Sequence, residues 1–325
     1  MLVLKRILCV AAALAAFLPA AALSQPYPSK PVRIVVAFPP GGLVDVVIRV
    51  VGERLSARLG QPFIVENRGG AMGNIANAAV AKAAPDGYTL IATLDTSITL
   101  VPVLYRKVEN NPMKDLAPIA MLTDLPLVLV VHPSVQADTV QKLVDLARRS
   151  NPPLVFASGG VGSPAHLANE ILREHAGIEM LQPPYVGSAP AVTAVVGNQA
   201  QATFAPLNVV LELVRSGKLR ALAMAAASRS PFAPDLPTMT ESGIPGMETE
   251  GWVVIGAPRK TPDEILATLN REINEALGTP EVQQALRRLG LRTLGGLTQR
   301  QLAERVAREH QFWTKFVESR KLALD

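Results

Sequence analysis

The segment VRIVVAFPPGGLVDVVIRVVGERLSARLG, residues 32–60, decides the fold class. Its first part, Val32–Phe38, is a run of mostly β-branched residues, which is typical of a buried parallel strand. Residues 39–42, Pro-Pro-Gly-Gly, interrupt this run, and Val44–Leu59 then has apolar residues at helical spacing. A strand, a glycine-rich loop and a helix in this order indicate an α/β protein with a mostly parallel sheet.

The same alternation continues on the C-terminal side of this segment. Short strands are predicted at Phe63–Glu66 and Tyr88–Ala92, with an alanine-rich helix over Asn74–Ala84 between them. Leu125–Val131 is the most hydrophobic predicted strand, and the alternation starts again after it. The elements predicted in this second run are a helix over Thr139–Arg149 with Asp138 as its cap, strand Leu154–Ala157, helix Pro164–His175, and strands Ala200–Phe204 and Leu219–Ala225.

The C-terminal part of the chain has one predicted strand, Trp252–Ala257, followed by helices at Ile265–Leu277, Glu281–Leu289 and Gln301–Val317. These helices come with too few strands to form a domain, so we expect them to pack on the first α/β unit. The sequence therefore predicts two lobes joined by two chain crossings, with a central cleft. Lobe 1 comprises residues 25–126 and 250–325, and lobe 2 comprises residues 127–249.

The first 24 residues have the pattern of a secretory signal peptide. Lys5 and Arg6 precede the apolar run Ile7–Leu18, and the small residues Ala22 and Ser24 fit cleavage after residue 24, with cleavage after residue 22 as the alternative. The apolar run is shorter than the roughly 20 residues of a membrane-spanning helix. We therefore expect export to the periplasm rather than retention by an uncleaved anchor.

Composition excludes several classes of function. Cys9 is the only cysteine and lies in the predicted leader, so the mature chain would have no disulfide, thiolate metal site or cysteine nucleophile. Removal of the leader leaves 30 basic and 27 acidic residues, an excess too small and dispersed to indicate nucleic-acid binding. The roughly 300 mature residues suit two domains.

Two glycine-rich loops are the main candidates for a binding site. Ligands of open parallel sheets bind beyond the carboxyl ends of the strands, where helix N-termini offer free N–H groups to anions. The first loop supplies the candidate contacts Pro40, Gly41, Gly42, Leu43 and Val44. Asp45 follows in the first helical turn, where it could accept N–H bonds and hold the loop. A plain tight turn with a capping acid is the alternative.

The second loop, ASGGVGSPAH at residues 157–166, also lies between a predicted strand and a predicted helix. Its candidate ligand-binding residues are Ser158, Gly159, Gly160, Val161, Gly162, Ser163 and His166. Residues 160–165 match the relaxed dinucleotide fingerprint G-x-G-x-x-A. The position in mid-chain and Pro164 at the helix start instead favour a loop whose serine hydroxyls face a small anion. An ordinary capping loop is the remaining alternative.

Further candidates follow the third predicted strand and precede a later helix. Thr93, Asp95, Thr96 and Ser97 could line the cleft, or could form an ordinary polar turn. Tyr185 and Gly187 stand before a helix that opens at residues 189–190, and Tyr185 could cover a ligand or simply pack as a half-buried aromatic residue.

The sequence has no recognisable catalytic or metal-binding pattern. The four histidines, His132, His166, His175 and His310, do not have i,i+4 spacing, and the motifs HExxH and G-x-S-x-G do not occur. Ser163 and His166 lie within one turn of a helix start, which favours capping over catalysis. We therefore expect no enzyme activity, no metal and no cofactor.

Eight segments carry a resemblance to a known family. They are YPSKPVRIVVAFPPGG (27–42) with Asp45, GQPFIVENRGGAMGNIA (60–76), KAAPDGYTL (82–90), LVVHPSV (129–135), FASGGVGSPAHLA (156–168), PPYVGSAPAV (183–192), SGKLRALAM (216–224) and RSPFAPDLPTMTESGIPGME (229–248). In this order they resemble the Bug family of periplasmic solute-binding proteins, the receptors of tripartite tricarboxylate transporters. The resemblance covers almost the entire mature chain.

The resemblance implies a two-lobed periplasmic-binding-protein fold of the Venus-flytrap, type II-like kind. Its cleft would hold a small carboxylate, with first-lobe contacts in residues 40–44, second-lobe contacts in residues 158–163, and Tyr185 and Gly187 nearby. Residues 93–97 match the family only loosely. The protein would act as a monomer and deliver its ligand to membrane transporter subunits. A membrane sensor is the alternative partner, and an exported hydrolase is the competing class of function.

The chain departs from the family pattern at polar positions. The family commonly has small or hydroxyl residues where Leu43 and Val44 stand, a lysine where Val186 stands, and an acid and an amide where Ala205 and Pro206 stand. Because these positions are apolar here, we expect a ligand less polar than citrate or an acidic amino acid. An aromatic or short aliphatic monocarboxylate fits this description.

Overall fold

The computed structural model describes residues 27–105, 110–247 and 251–320. The predicted signal peptide and its cleavage site lie outside these residues. Within the described ranges, no helix is both long and apolar enough to cross a membrane.

Ten strands in the described residues form two five-stranded sheets. The strands are β1 (Val32–Val36), β2 (Phe63–Asn67), β3 (Thr89–Leu94), β4 (Leu116–Leu125), β5 (Leu127–Val131), β6 (Leu154–Ala157), β7 (Met180–Leu181), β8 (Ala202–Pro206), β9 (Arg220–Ala225) and β10 (Gly251–Pro258). The strand order is β2-β1-β3-β10-β4 in the first sheet and β7-β6-β8-β5-β9 in the second sheet.

Helices connect these strands, and a 3-10 turn lies at Ala71–Gly73. The helices are α1 (Leu43–Leu59), α2 (Asn74–Ala81), α3 (Asp95–Thr99), α4 (Val101–Leu104), α5 (Pro112–Asp115), α6 (Val140–Arg149), α7 (Pro164–Ala176), α8 (Ser188–Val196), α9 (Leu207–Arg215), α10 (Asp263–Gly278), α11 (Pro280–Arg288) and α12 (Gln299–Arg320).

The two sheets share one topology. In the first sheet β1 pairs in parallel with β2 and β3, and β10 pairs antiparallel with β3 and with β4. In the second sheet β6 pairs in parallel with β7 and β8, and β5 pairs antiparallel with β8 and with β9. Each antiparallel strand is the first strand after a chain crossing between the sheets. The predicted two-lobed α/β fold with two crossings is therefore confirmed, whereas the sheets, expected to be mostly parallel, are mixed, with two parallel and two antiparallel pairings in each. The residue boundaries predicted for the lobes stay a prediction.

The first strand shows why a continuous apolar run predicted a buried strand. Ile34 packs in one cluster with Ile48 and Val51 of α1, while Val35 packs with Val80 of α2 on the other face of the sheet. Both faces of β1 are covered by helices, so successive side chains are all apolar. The strand ends at Val36, two residues earlier than predicted.

The single strand predicted over Leu125–Val131 was wrong. Leu125 ends β4 in the first sheet, and Leu127 begins β5 in the second sheet. Pro126 between them has no N–H to donate to a strand ladder, and its carbonyl accepts a hydrogen bond from the N–H of Leu207 instead. The most hydrophobic stretch of the sequence therefore contains the first chain crossing.

The helix cap predicted at Asp138 was also wrong. Thr139 is the N-cap of α6, because its side chain accepts a hydrogen bond from the N–H of Lys142. The carboxylate of Asp138 instead pairs with the ammonium group of Lys142 at 2.8 Å.

The C-terminal helices pack on the first sheet, as expected. Leu269 and Ile273 of α10 belong to the same buried cluster as α1, and Arg58 of α1 forms a 2.9 Å ion pair with Glu272. Leu302 of α12 packs against the strand β10. This packing leaves the carboxyl ends of the strands free to form the cleft.

Candidate ligand-binding cleft

A cavity of about 450 Å³ lies between the loops of the two sheets. From the first sheet and its connections it is lined by Phe38, Pro39, Pro40, Gly41, Gly42, Leu43, Val44, Met72, Leu94 and Leu125. From the second it is lined by Leu127, Gly159, Ser163, Pro164, Ala165, Val186, Gly187, Ser188, Ala189, Pro190, Pro206 and Val209. The loops after β1, β6 and β8 all contribute, which is where an open parallel sheet is expected to bind its ligand.

Four helices begin at this cavity. The first residues of α1, α7 and α8 line it, as does Pro206, the N-cap residue of α9. The N-cap residues Gly42, Gly187 and Pro206 make no side-chain capping hydrogen bond. The first-turn N–H groups of a helix have no partner within the helix, and they carry the positive end of its dipole. The helix starts therefore bring backbone N–H groups and positive dipole ends to the cavity, an arrangement that favours an anion.

The side chains that line the cavity are almost entirely apolar. Among the described lining residues none is charged, and only Ser163 and Ser188 have a hydroxyl group. An anionic group can be bound here by backbone N–H groups and these hydroxyls. The rest of a ligand would contact leucine, valine, proline, phenylalanine and methionine side chains.

The first loop is held in place by Asp45. Its carboxylate accepts a hydrogen bond of 2.9 Å from the N–H of Gly41, and further bonds from Asn67 and Arg49. Burial acts to raise the pKa of Asp45, but the hydrogen bonds from Arg49, Gly41 and Asn67 outweigh it and lower the pKa. The expected acceptance of a loop N–H bond is confirmed, and Asp45 itself does not line the cavity.

The second loop starts helix α7 through Ser163. The hydroxyl of Ser163 accepts a hydrogen bond of 3.2 Å from the N–H of His166. The N–H of Gly162 points at Nδ1 of His166 at 3.4 Å, so this nitrogen acts as an acceptor, and burial lowers the pKa of the imidazole. The capping interpretation of this pair is therefore confirmed. Ser163 and His166 are not arranged as nucleophile and base.

Backbone hydrogen bonds join the second loop to the segment before α8. The N–H of Tyr185 donates to the carbonyl of Ser158 at 3.0 Å, and the N–H of Gly187 donates to the carbonyl of Gly159 at 3.3 Å. A Cβ atom on Gly159 would lie 3.3 Å from the backbone nitrogen of Ser188. The two helix starts of α7 and α8 are therefore fixed next to each other.

The structure brings eight of the predicted site residues to the cavity wall. These are Pro40, Gly41, Gly42, Leu43, Val44, Gly159, Ser163 and Gly187. The remaining predicted site residues lie outside the lining: Asp45, Thr93, Thr96, Ser97, Ser158, Gly160, Val161, Gly162, His166, Tyr185 and Ala205. Ligand contact by any of them stays a prediction.

Thr93 belongs to strand β3 and Thr96 and Ser97 to helix α3, and none of the three lines the cavity. Thr93, Thr96 and Ser97 are buried, and their hydroxyl oxygens have no hydrogen-bond partner among the described residues. A Cβ atom on Gly73 would lie 2.9 Å from the hydroxyl of Ser97 and 3.2 Å from that of Thr93. These two hydroxyls form a polar patch beneath the turn Ala71–Gly73 rather than a face of the cavity.

Most of the apolar residues that replace polar ones of the family pattern line the cavity, but one of them lies in the core. Leu43 and Val44 line the cavity, and Val186 lines it while remaining 90% exposed. Ala205 is 1% exposed and packs in the core of the second lobe, whereas the next residue, Pro206, faces the cavity. Adjacent residues of a strand point to opposite faces, which explains this difference.

The lining residues that sequence reasoning missed are mostly apolar. A search for polar and glycine-rich loops passes over Met72, Leu94, Leu125 and Val209. Ser188 could have been found, since it follows Gly187 at a predicted helix start.

Asp95 lies outside the cavity lining, next to the start of β10. It is the first residue of α3 and is 4% exposed, and its carboxyl group accepts a hydrogen bond from the N–H of Trp252 at 3.1 Å. Burial and the neighbouring carboxylate of Glu309 raise the pKa of Asp95 to about 8. This carboxyl group therefore ties α3 to the start of β10.

Two matching sheets, two crossings and a cavity between their loops define the class of two-lobed periplasmic binding proteins. The family model described as the tripartite tricarboxylate transporter family receptor, TctC, matches residues 47–322, and the chain belongs to this family. The resemblance found in the sequence is thereby confirmed.

Individual relatives agree with this assignment. Protein BugT of Bordetella pertussis is 40% identical over 264 residues, which are 80% of this chain and 80% of BugT. The structure of R. palustris Rpa4515 with adipate has a TM-score of 0.85 at 34% identity, covering 90% of this chain and 97% of that one. MatC from Rhodopseudomonas palustris with bound malate has a TM-score of 0.82 at 32% identity, and the match covers 90% of this chain and 100% of MatC.

Proposed function

We propose that this protein is a periplasmic receptor, and not an enzyme, that captures a small carboxylate between its two lobes. The observation that carries this proposal is the convergence of four helix N-termini on a cavity without a charged lining side chain among the described residues. Family membership supports delivery of the ligand to the membrane subunits of a tripartite tricarboxylate transporter. The receptor would be exported by its leader and act as a monomer.

The two lobes are proposed to comprise residues 25–126 with 250–325, and residues 127–249. The cavity wall is shared between them, with Gly42–Val44 on one side and Gly187–Ala189 on the other. The carboxylate would accept hydrogen bonds from first-turn N–H groups of α1 and α8 and from the hydroxyl of Ser188. Binding to both lobes at once would favour their closure on the ligand.

The ligand is proposed to be a monocarboxylate with an apolar body. Rpa4515 with adipate and MatC with bound malate are carboxylate complexes of relatives, which supports the charged group. In this chain Leu43, Val44 and Val186 contribute apolar side chains to the lining. A second or third carboxylate would lose hydration without meeting a cationic side chain, which is costly.

A calorimetric panel tests the class and polarity of the ligand. Benzoate and hexanoate are expected to bind at one site per chain, at least about tenfold more tightly than citrate. Benzamide, which matches benzoate in shape but has no charge, is expected not to bind. Submicromolar citrate binding without benzoate or hexanoate binding would contradict the proposed polarity, and binding of no carboxylate would contradict the proposed class.

An uptake experiment tests the partner. Deletion of the genes for candidate membrane subunits is expected to abolish uptake of a radiolabelled ligand from the panel. Unchanged uptake together with a lost transcriptional response would assign the receptor to a membrane sensor instead. Turnover of an ester or amide panel that disappears in Ser163→Ala would contradict the receptor function and indicate a hydrolase.

A further inference from the structure

The turn before α2 has an unusual backbone. Four consecutive residues have positive φ: Gly70 (132°), Ala71 (45°), Met72 (51°) and Gly73 (89°). Residues other than glycine rarely adopt this left-handed conformation, because the Cβ atom comes too close to the following carbonyl oxygen. Ala71 and Met72 are therefore strained positions within one short turn.

The glycines on either side stand at positions where a Cβ atom would be too close to a neighbouring side chain. A Cβ atom on Gly70 would lie 2.7 Å from Cδ1 of Ile75, and one on Gly73 would lie 2.9 Å from the hydroxyl of Ser97. The N–H of Gly73 also donates to the carbonyl of Gly70 at 3.0 Å. Glycine therefore fits both positions without a shift of its neighbours, and the Gly73–Gly70 hydrogen bond closes the turn.

The two strained residues differ in where their side chains lie. Ala71 is exposed and does not line the cavity, whereas Met72 is half-buried and forms part of the cavity wall. Strained backbone is found preferentially at ligand-binding positions, where the side chain it presents has a use. Methionine is unbranched and polarizable, so its side chain adapts to apolar groups of different shape.

We propose that Met72 determines ligand selectivity, by packing against the apolar body of the bound carboxylate. This inference rests on the proposed function, since it needs a carboxylate in the cleft. The strain at Met72 is tolerated because the left-handed conformation directs a flexible apolar side chain into the cavity. The anion contacts at the helix N-termini are separate from this contact.

The variants Met72→Gly and Ala71→Gly separate the side chain from the backbone. Both remove a strained non-glycine residue from the same turn, so both are expected to be folded, with a midpoint of thermal unfolding no lower than that of the parent protein. Only Met72→Gly removes a side chain that lines the cavity. The change in affinity should then follow the number of ligand methylenes that lose their contact, at about fourfold per methylene.

Calorimetric titration with acetate and hexanoate is the measurement. Met72→Gly is expected to weaken hexanoate binding at least about tenfold and acetate binding less than about twofold, while Ala71→Gly leaves both within about twofold of the parent protein. Hexanoate binding by Met72→Gly equal to that of the parent would overturn this inference and leave the proposed function standing. Equal losses in both variants would assign the effect to the turn and would also overturn it. Absence of carboxylate binding by the parent protein would defeat the proposed function, and this inference with it.

Discussion

The substitution Ser188→Asp places a fixed negative charge at the proposed anion site without opposing the fold. Ser188 is the first residue of α8 and lines the cavity. An acidic side chain in the first turn of a helix interacts favourably with the helix dipole, by about 0.3–1 kcal/mol at an exposed position. We therefore expect this variant to be at least as stable as the parent protein.

The loss of binding can be calculated from the size of the cavity. Repulsion would move the carboxylate out of hydrogen-bond distance of residue 188, and a cavity of 450 Å³, about 5 Å in radius if treated as a sphere, lets the ligand retreat to about 5 Å from the new charge. Two unit charges at about 5 Å, with an effective dielectric constant of about 20, repel each other by about 3 kcal/mol. This corresponds to a loss of affinity of about two orders of magnitude.

The assay is calorimetric titration with benzoate, with Ser188→Asn as the matched neutral control. The asparagine variant has nearly the same shape and no charge, and it is expected to bind within about threefold of the parent protein, because no charge repulsion is introduced. A folded Ser188→Asp variant that binds benzoate as tightly as Ser188→Asn would refute the assignment of the anion site to these helix N-termini.

Three further outcomes are expected from the structure. Asp45→Ala removes the acceptor for the N–H of Gly41. It should lower the free energy of unfolding by about 1–3 kcal/mol in urea titrations and weaken benzoate binding. Unchanged values for both would show that the loop keeps its conformation without Asp45. The pKa of Asp95 is raised to about 8 in the folded state, so between about pH 4 and pH 8 the folded state keeps a proton that the unfolded state has lost. The free energy of unfolding should therefore fall as the pH rises through this range. Asp95→Asn should flatten this slope in urea titrations across that range, and an unchanged slope would exclude Asp95 as its source. Val186→Lys adds a cation at the exposed rim of the cavity and should strengthen adipate binding by up to about fivefold relative to hexanoate. An equal effect on both ligands would place Val186 away from the distal end of the ligand.

The fold was largely predictable because a strand whose two faces are both buried has a continuous run of apolar residues in the sequence. The run that begins at Val32 is a strand since helices cover both sides of its sheet, and the loop that follows it lies at the cavity. Hydrophobicity does not show to which sheet a strand belongs, so Leu125 was assigned to the same strand as Leu127, although the predicted lobe boundary fell between residues 126 and 127.

The candidate site was predictable where backbone geometry defines it, and less so where side-chain direction matters. Gly42 and Gly187 precede helices in a way that the sequence shows. Ala205 faces the core and Pro206 the cavity, a difference of one strand position that no local pattern reveals. Met72 escaped notice because its place in the wall depends on a left-handed backbone conformation that is not expected for methionine.

The most direct test of the central claim is mass spectrometry, under conditions that keep the complex intact, of the protein isolated from the periplasm of its own host. We expect one small carboxylate of low polarity per chain, absent from the Ser188→Asp variant and retained by Ser188→Asn. A polyanion such as citrate bound equally to both variants, or a ligand without a carboxylate group, would contradict the claim that helix N-termini in an apolar cleft select the ligand.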